Sequence, residues 1–371
     1  MSTSLPLRQT ESIITPQIPR IFEGEQGWEH TEVVNLSGYT GNDQYLVETN
    51  LRPWLGFLAG EATKLVVFPD VSPTQGGIVP TGVAAEFNVE KTPGYLEYFR
   101  GADVGCGMYV AALNKDKWSQ ESFRANPQNL DRLYDLMARH NKEFALGGGN
   151  HFLDFSYDIE SEEVFVVIHT GSFGDLQLQL GGLYQDPSKY WDTYERTIAS
   201  AVSNRLKIAA VVQDIFGPVM WSSDTIHNSI DTTSVDNTGH VRVYKGVVQV
   251  SDTSKPLILP SSADGLMLLY SAGEGINGEV LYGTSHGTGR RIKRGDAKGD
   301  QFISDNSLQV DISGRVHLSQ VMLPRQISGI PLTESPVVYH SIDRSEDLME
   351  RYSLMGPSAR YLQAFAYLGH I

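Results

Sequence analysis

The run Glu163-Val-Phe-Val-Val-Ile168 is the strongest strand signal in the sequence. β-Branched and aromatic residues in an unbroken apolar stretch suit a pleated, buried surface. The run opens directly into His169-Thr-Gly-Ser-Phe-Gly174, and a histidine at a strand end before a Gly/Ser loop is a site position. The same plan recurs along the chain. Lys64-Leu-Val-Val-Phe68 reads as a buried strand that stops at Pro69 and delivers Asp70 to a turn-rich loop, Val71 to Gly77. Residues 82–87 and 109–113 read as further strands, the second preceded by Gly101-Ala-Asp-Val-Gly-Cys-Gly-Met108. Leu130, Leu133, Leu136 and Met137 mark the apolar face of a helix over 128–143, with Asp131 and Arg132 facing elsewhere. Gly147-Gly-Gly-Asn-His-Phe-Leu-Asp154 breaks that helix, and three glycines in a row permit close ligand approach.

Helical spacing returns over 188–216 and is stopped by Gly217-Pro218. Strands over 239–243 and 247–250 flank a turn at Tyr244-Lys245-Gly246. An apolar run follows at 266–270, then a strand end at 337–339, a helix over 342–351 and an apolar, aromatic tail from Ala359. Interleaved strands and helices, with no repeat or linker, predict one α/β domain over 1–371. Its sheets are mixed, helices flank them, and the site is built from glycine-rich loops at strand ends. Residues 1–30 read as a loose lead-in, residues 1–60 as its less defined part and 352–371 as a divergent tail.

The formal net charge of -15 argues against a broad basic surface. It leaves room for a local one, and Arg290, Arg291, Lys293 and Arg294 are the one dense basic cluster. A single cysteine, Cys106, excludes an intrachain disulfide and fits a reducing compartment. The polar start of the chain and the lack of any run of ~18 apolar residues predict a cytoplasmic protein without a membrane span.

Of ten histidines, His151, His169, His227 and His286 lie in glycine- or asparagine-marked loops beside strands. Each alone reads most simply as a satisfied core histidine, and Cys106 alone as a buried structural thiol. Together with Asp103, three of these histidines and Cys106 exceed what one tetrahedral metal needs. A shared thiolate would let five ligands hold two ions, as in phosphoryl-transfer sites. His286, in Ser285-His-Gly-Thr-Gly-Arg290, is then free to attack phosphorus beside cations that hold phosphate. The residues alone point to a metal-assisted phosphoryl or nucleotidyl transferase.

The motifs Asp103-Val-Gly-Cys-Gly-Met, Gly-Gly-Gly-Asn-His151-Phe, His169-Thr-Gly-Ser, Asn204-Arg205, His227-Asn228, Lys245-Gly246 and His286-Gly-Thr-Gly-Arg290 occur in order. Taken together, from about Pro69 to about Tyr339, the chain resembles the RNA-splicing ligase (RtcB) family. The resemblance implies a GTP- and manganese-dependent RNA ligase for RNA repair or tRNA splicing. Such an enzyme joins a 2′,3′-cyclic-phosphate or 3′-phosphate end to a 5′-hydroxyl end, in some cases with a protein activator. It implies Asp103, Cys106, His151, His169 and His227 as ligands of two Mn2+ ions and His286 as the residue that takes GMP. It implies Asn150, Asp154 and Ser262 at the guanylate, Lys245, Arg290 and Arg294 at phosphates, and Asp70 in support of activation.

The chain departs from the family at Ser72, Phe173, Tyr244 and Pro260-Ser261-Ser262-Ala263, and it ends in Gly369-His370-Ile371 without the family's basic terminus. These departures keep two other readings open. One is a metal-dependent RNA end-processing or nucleotide hydrolase on the same scaffold. The other is a catalytically drifted RNA- or partner-binding protein.

Overall fold

The computed structural model describes residues 31–39, 58, 61–72, 80–91, 94–98, 103–232, 239–292, 294, 297, 309–310 and 315–369. The lead-in over 1–30, the loop over 73–77, Lys293 and the terminal pair His370 and Ile371 lie outside them. The fold is mixed α/β, with several sheets and flanking helices.

Five strands form one sheet in the order β1-β2-β3-β9-β8. These are β1 (Glu32–Asn35), β2 (Lys64–Ser72), β3 (Thr81–Asn88), β9 (His240–Lys245) and β8 (Asn228–Asp231). The β1–β2 pair is parallel and the others are antiparallel. Seven strands form the larger sheet, antiparallel throughout, in the order β11-β12-β17-β5-β6-β4-β7. They are β11 (Leu257–Leu259), β12 (Leu266–Tyr270), β17 (Arg360–Gly369), β5 (Phe152–Asp158), β6 (Val164–Thr170), β4 (Gly107–Ala112) and β7 (Trp221–Ile226). A two-stranded ribbon pairs β10 (Val247–Gln249) with β13 (Gly283–Ser285). A small sheet holds β14 (Gln309–Val310), β15 (Arg315–His317) and β16 (Ile330–Pro331).

The unbroken apolar run of β6 has a physical reason: both faces of its sheet are covered. Val164, Val166 and Ile168 pack on one side with two helices, α1 (Gln128–Arg139) and the C-terminal half of α3 (Pro187–Phe216). Phe165 and Val167 pack on the other side with Met108, Ile258, Met267 and Leu362. Further back, Tyr190 and Tyr194 of α3 pack against Leu65, Val67, Val83 and Val243 of the five-stranded sheet. One thirty-residue helix therefore braces both sheets. A short helix, α2 (Leu176–Gly182), precedes it, and α4 (Ile342–Arg351) follows the expected 342–351.

Several expectations are corrected. Asp70 is not in a loop. Strand β2 continues through Pro69 to Ser72, because pairing with β1 stops at Val67 and the β3 register shifts after the same residue. No ladder bond is asked of the missing proline N–H. Lys245-Gly246 is not a hairpin turn: β9 stays in the five-stranded sheet while β10 leaves to pair β13. Helix α1 ends at Arg139, and Asp131 is buried on it, paired with Arg325 Nε at 2.8 Å. The apolar tail is no appendage, since β17 lies between β12 and β5 in the middle of the large sheet.

Candidate active site

Register brings the metal-type side chains together. In the large sheet β5, β6, β4 and β7 are neighbours, and alternate strands run toward and away from the same edge. At that edge His151 precedes β5, His169 nearly ends β6, Cys106 precedes β4 and His227 follows β7. Paired strands lie about 4.8 Å apart, so one side chain per strand makes a compact row. The backbone ties the row: His227 N–H donates to the Cys106 carbonyl at 2.9 Å, and Gly105 N–H to the Asn228 carbonyl at 2.9 Å.

Two trios have ligand atoms within 4.8 Å of one another, Cys106/His169/His227 and Asp103/Cys106/His151. Cys106 belongs to both. Its Sγ lies 3.2 Å from His169 Nε2 and 3.5 Å from His151 Nε2, and Asp103 Oδ2 lies 3.5 Å from the latter. The other ring nitrogens are already used. His169 Nδ1–H donates to the Asn150 carbonyl at 3.1 Å and His151 Nδ1–H to the Leu146 carbonyl at 2.8 Å. A carbonyl only accepts, so both rings carry their proton on Nδ1 and present Nε2 to the cluster, the orientation metal-binding histidines adopt. His227 Nδ1 is buried and has no hydrogen-bond partner among the described residues. Soft, imidazole and carboxylate donors around an orphaned nitrogen fit divalent transition metals, and the shared thiolate fits two of them.

The electrostatics of the cluster suit a divalent cation. Burial and the charge of Asp103 push the Cys106 thiol up. Burial also pulls His151 down, but the Cys106 charge and the hydrogen bond to Asp103 outweigh it and hold the imidazole well above its usual range. Burial would raise Asp103, yet the hydrogen bond and charge of His151 hold that carboxyl well below the ordinary range. His169 and His227 are pushed well down by burial, helped by the charge of His286. A divalent cation supplies the positive charge that lets Cys106 release its proton.

His286 sits across from this row. Strand β13 carries it to the site, and Ser285 pairs Val247, the residue just after Gly246. Gly246 has φ +62, and a Cβ there would come within 2.9 Å of Gly82 N and 3.0 Å of His286 Cε1. Only glycine lets the backbone pass so close to this ring. Asp70 holds His286 at two points, its Oδ2 accepting Nδ1–H at 2.6 Å and the backbone N–H at 3.1 Å. The Nε2 atom is therefore the free nitrogen. The ring stacks at a tilt on His227, with centroids 4.6 Å apart, so the nucleophile candidate and the metal cluster are in contact.

Asp103, Cys106, His169, His227 and His286 line one cavity of about 290 Å3 with Asn150, Lys245, Arg290, Arg294 and Tyr339, while His151 and Asp70 contact Cys106 and His286 without lining it. Burial pulls the Lys245 ammonium down, against the charge of Asp103. Two expected guanylate contacts do not line this cavity. Asp154 and Ser262 lie behind Phe152, Ser261 and Tyr339 in a recess of about 20 Å3. Ser262 Oγ is spent on Asp264 Oδ1 at 2.9 Å, whereas Ser261 reaches both spaces. Phe152 and Asp154, two residues apart, share one face of β5, so Phe152 lines both spaces and Asp154 lies one strand repeat farther along, in the recess alone. Burial and the nearby Glu334 and Asp264 push the Asp154 carboxyl well up.

Sequence reasoning missed Glu334. It accepts from Arg290 Nη2 at 3.2 Å through both oxygens and lies 3.6 Å from Arg294 Nη2. Arg290 also donates to the Thr333 carbonyl at 2.6 Å and to Tyr339 Oη at 2.7 Å. The two arginines face the cavity already partly neutralised. Nothing in the local pattern Pro331-Leu-Thr-Glu-Ser-Pro336 points to this role.

The Asn204-Arg205 pair was legible only as part of a motif. Arg205 is fully buried and bidentate to Asp224, at 2.6 and 3.1 Å, and donates to the carbonyls of Gly105 and Thr170, both at 2.9 Å. Those carbonyls adjoin Cys106 and His169, so one guanidinium fixes two ligand-bearing strand ends. A polar pair on the apolar face of a helix was its available signal.

The chain matches no protein-family model and no curated protein. Among the described residues no helix is long and apolar enough to cross a membrane.

Proposed function

We propose that this chain is a metal-dependent nucleotidyl-transfer enzyme of the RNA-splicing ligase type. It joins 2′,3′-cyclic-phosphate or 3′-phosphate RNA ends to 5′-hydroxyl ends, with GTP and Mn2+ as nucleotide and metal. The observation that carries this reading is the pairing of His286 with Asp70 where His286 faces one cavity with Asp103, Cys106, His169 and His227, members of the two metal-type trios.

The chemistry follows from the hydrogen bonds. With Nδ1–H donated to Asp70, the lone pair of His286 lies on Nε2. Attack by Nε2 on the α-phosphorus of GTP forms an N–P bond, breaks the α–β anhydride and releases pyrophosphate. Asp70 holds the positive charge that builds on the imidazole, the role a carboxylate takes behind a catalytic histidine. A 3′-phosphate oxygen of the RNA then attacks the same phosphorus, breaks the N–P bond and restores His286. The 5′-hydroxyl attacks the activated 3′-phosphate, displaces GMP and loses its proton to water. A 2′,3′-cyclic end is first opened by water to the 3′-phosphate. Divalent cations held by the two trios would neutralise phosphate oxygens and polarise phosphorus. Lys245, Arg290 and Arg294 line the same cavity and suit phosphate oxygens.

The test is incubation with Mn2+ and each of the four labelled nucleoside triphosphates. A covalent, acid-labile and base-stable adduct is expected with GTP and none with His286→Ala. An adduct that survives His286→Ala would remove His286 as nucleophile. Opening of a cyclic phosphate without joining would assign the end-processing reading instead.

A further inference from the structure

The segment after the nucleophile does two things at once. Residues 289–291 run antiparallel to residues 338–340, with Arg290 opposite Tyr339. His340 N–H donates to the Gly289 carbonyl at 3.0 Å and Arg291 N–H to the Val338 carbonyl at 2.8 Å. Side chains alternate across such a ribbon. Arg290 and Tyr339 line the cavity, so Arg291 and His340 emerge on the opposite face. A second guanidinium, that of Arg344, joins them there. Arg344 donates to the carbonyls of Pro69 and Ser37, at 3.0 and 2.6 Å, and lies over the ring of Tyr39 at 5.1 Å. Tyr39 Oη contacts His340 Nε2 at 2.9 Å.

Among the described residues no carboxylate neutralises this face. Arg291 is exposed, and neither Arg291 nor Arg344 has a carboxylate within ion-pair distance among the described residues. Both guanidiniums act on His340, where burial first and then their charge pull the imidazole down to about 4. The contrast with the inner face is direct: there Glu334 neutralises Arg290 and Arg294. In a chain of net charge -15, an unneutralised cationic face one residue from the cavity lining is a placed feature.

We propose that Arg291, His340 and Arg344 form a backbone-binding surface for a single-stranded polynucleotide whose reacting end lies in the His286 cavity. The surface contacts phosphodiester groups a nucleotide or two from that end. It deepens the ligase reading and rests on it for the identity of the reacting end, but not for binding itself. The chemistry selects a polyanion because two guanidiniums and a neutral imidazole donor offer hydrogen bonds to non-bridging oxygens without a competing carboxylate. It selects a strand over a free phosphate because Arg291 and His340 lie on the face of the ribbon opposite Arg290 and Tyr339, which line the cavity, and a ligand that reaches both faces has to be extended.

The test is binding of a 12-nucleotide single-stranded RNA with unreactive hydroxyl ends, followed by fluorescence anisotropy from low to moderate salt. Guanylylation is measured in parallel. Arg291→Ala is expected to weaken binding about threefold to tenfold and to lower the salt slope by about 0.7, the value for one phosphate contact on a single strand. Arg291→Glu should weaken it further, and both variants should form the His286 adduct at the wild-type rate. Equal binding by wild type and Arg291→Glu overturns the proposal. So does competition by polyaspartate as effective as that by RNA of the same charge, or a wild-type protein that binds no RNA at low salt. Arg291-dependent binding without any adduct in the wild type would leave this surface standing and remove the ligase reading.

Discussion

Replacing Asp70 by asparagine separates what this carboxylate does for the fold from what it does for His286. Asp70 is fully buried, and its Oδ2 accepts both the Nδ1–H and the backbone N–H of His286, while Oδ1 has no partner among the described residues. Asparagine keeps the shape and a neutral acceptor but loses the charge that stabilises a phosphorylated imidazole. A charge-assisted hydrogen bond contributes about 1.5–3 kcal/mol against about 1 kcal/mol for a neutral one. The difference, about 0.5–2 kcal/mol, is a factor of about 2 to 30 in rate. Loss of tautomer control adds to it, because the amide can turn its NH2 toward Nδ1 and move the proton to Nε2, the attacking atom. The net expectation is a rate of adduct formation about 10- to 100-fold below wild type, from single-turnover reactions with labelled GTP quenched in alkali. Stability should move the other way or not at all, since a buried oxygen without a partner is replaced by a neutral amide. A variant that forms the adduct within twofold of the wild-type rate would refute the assignment of Asp70 as the group that orients and charges His286.

Metal uptake should depend on pH with a definite sign. Cys106 and His151 both hold their protons above their usual ranges, and a cation must displace those protons, so affinity should rise with pH. Calorimetry in buffers of different ionisation enthalpy should show release of about two protons in total as both trios fill, one from Cys106 and one from His151. Cys106→Ser should lower stoichiometry as well as affinity, because both trios share this residue; affinity flat between pH 6 and 8 would contradict the ligand set. Asp154 gives a stability measurement. Burial, then Glu334 and Asp264, raise its folded pKa, so the stability it contributes is full below the unfolded value of about 3.9 and is lost as pH rises through the folded value. Asp154→Asn should therefore gain thermal stability over wild type progressively from acid to neutral pH, and an equal difference at all pH values would show that folding does not shift this carboxyl.

The sequence was most readable where one element carries its own pattern. The run before His169 announces a strand buried on both faces, and α3 announces itself by spacing and its Gly217 stop. The glycine-marked loops named all five metal-type residues, because a loop that must approach a ligand needs glycine whatever its neighbours do. What escaped depends on partners far away in the chain. Whether Asp70 is loop or strand turns on where β1 and β3 stop pairing, and a proline looked like an end when it only marks an unpaired stretch. The resemblance puts Asp154 and Ser262 beside the nucleotide, whereas Asp154 lies one strand repeat beyond the cavity-lining Phe152 and Ser262 is hydrogen-bonded to Asp264, both in the recess. Glu334 and Arg205 act by neutralising or clamping groups on other elements, 44 residues away for Arg290 and 19 for Asp224, and pairing between elements leaves no local spacing to read.

The central position of β17 has a consequence for biosynthesis. Its register sets Leu362 against Asp158 and Gly369 against Phe152, beside the strands that carry His151 and His169. During translation those strands leave the ribosome long before their neighbour exists, and the gap is filled only when residues 360–369 emerge. Contacts of such sequence separation form slowly and leave unpaired edges exposed meanwhile. A ribosome that stops before residue 360 would thus release a chain with a split sheet, prone to edge-to-edge association. Metal loading is then a late event in the life of the nascent protein, coupled to arrival of its last described strand.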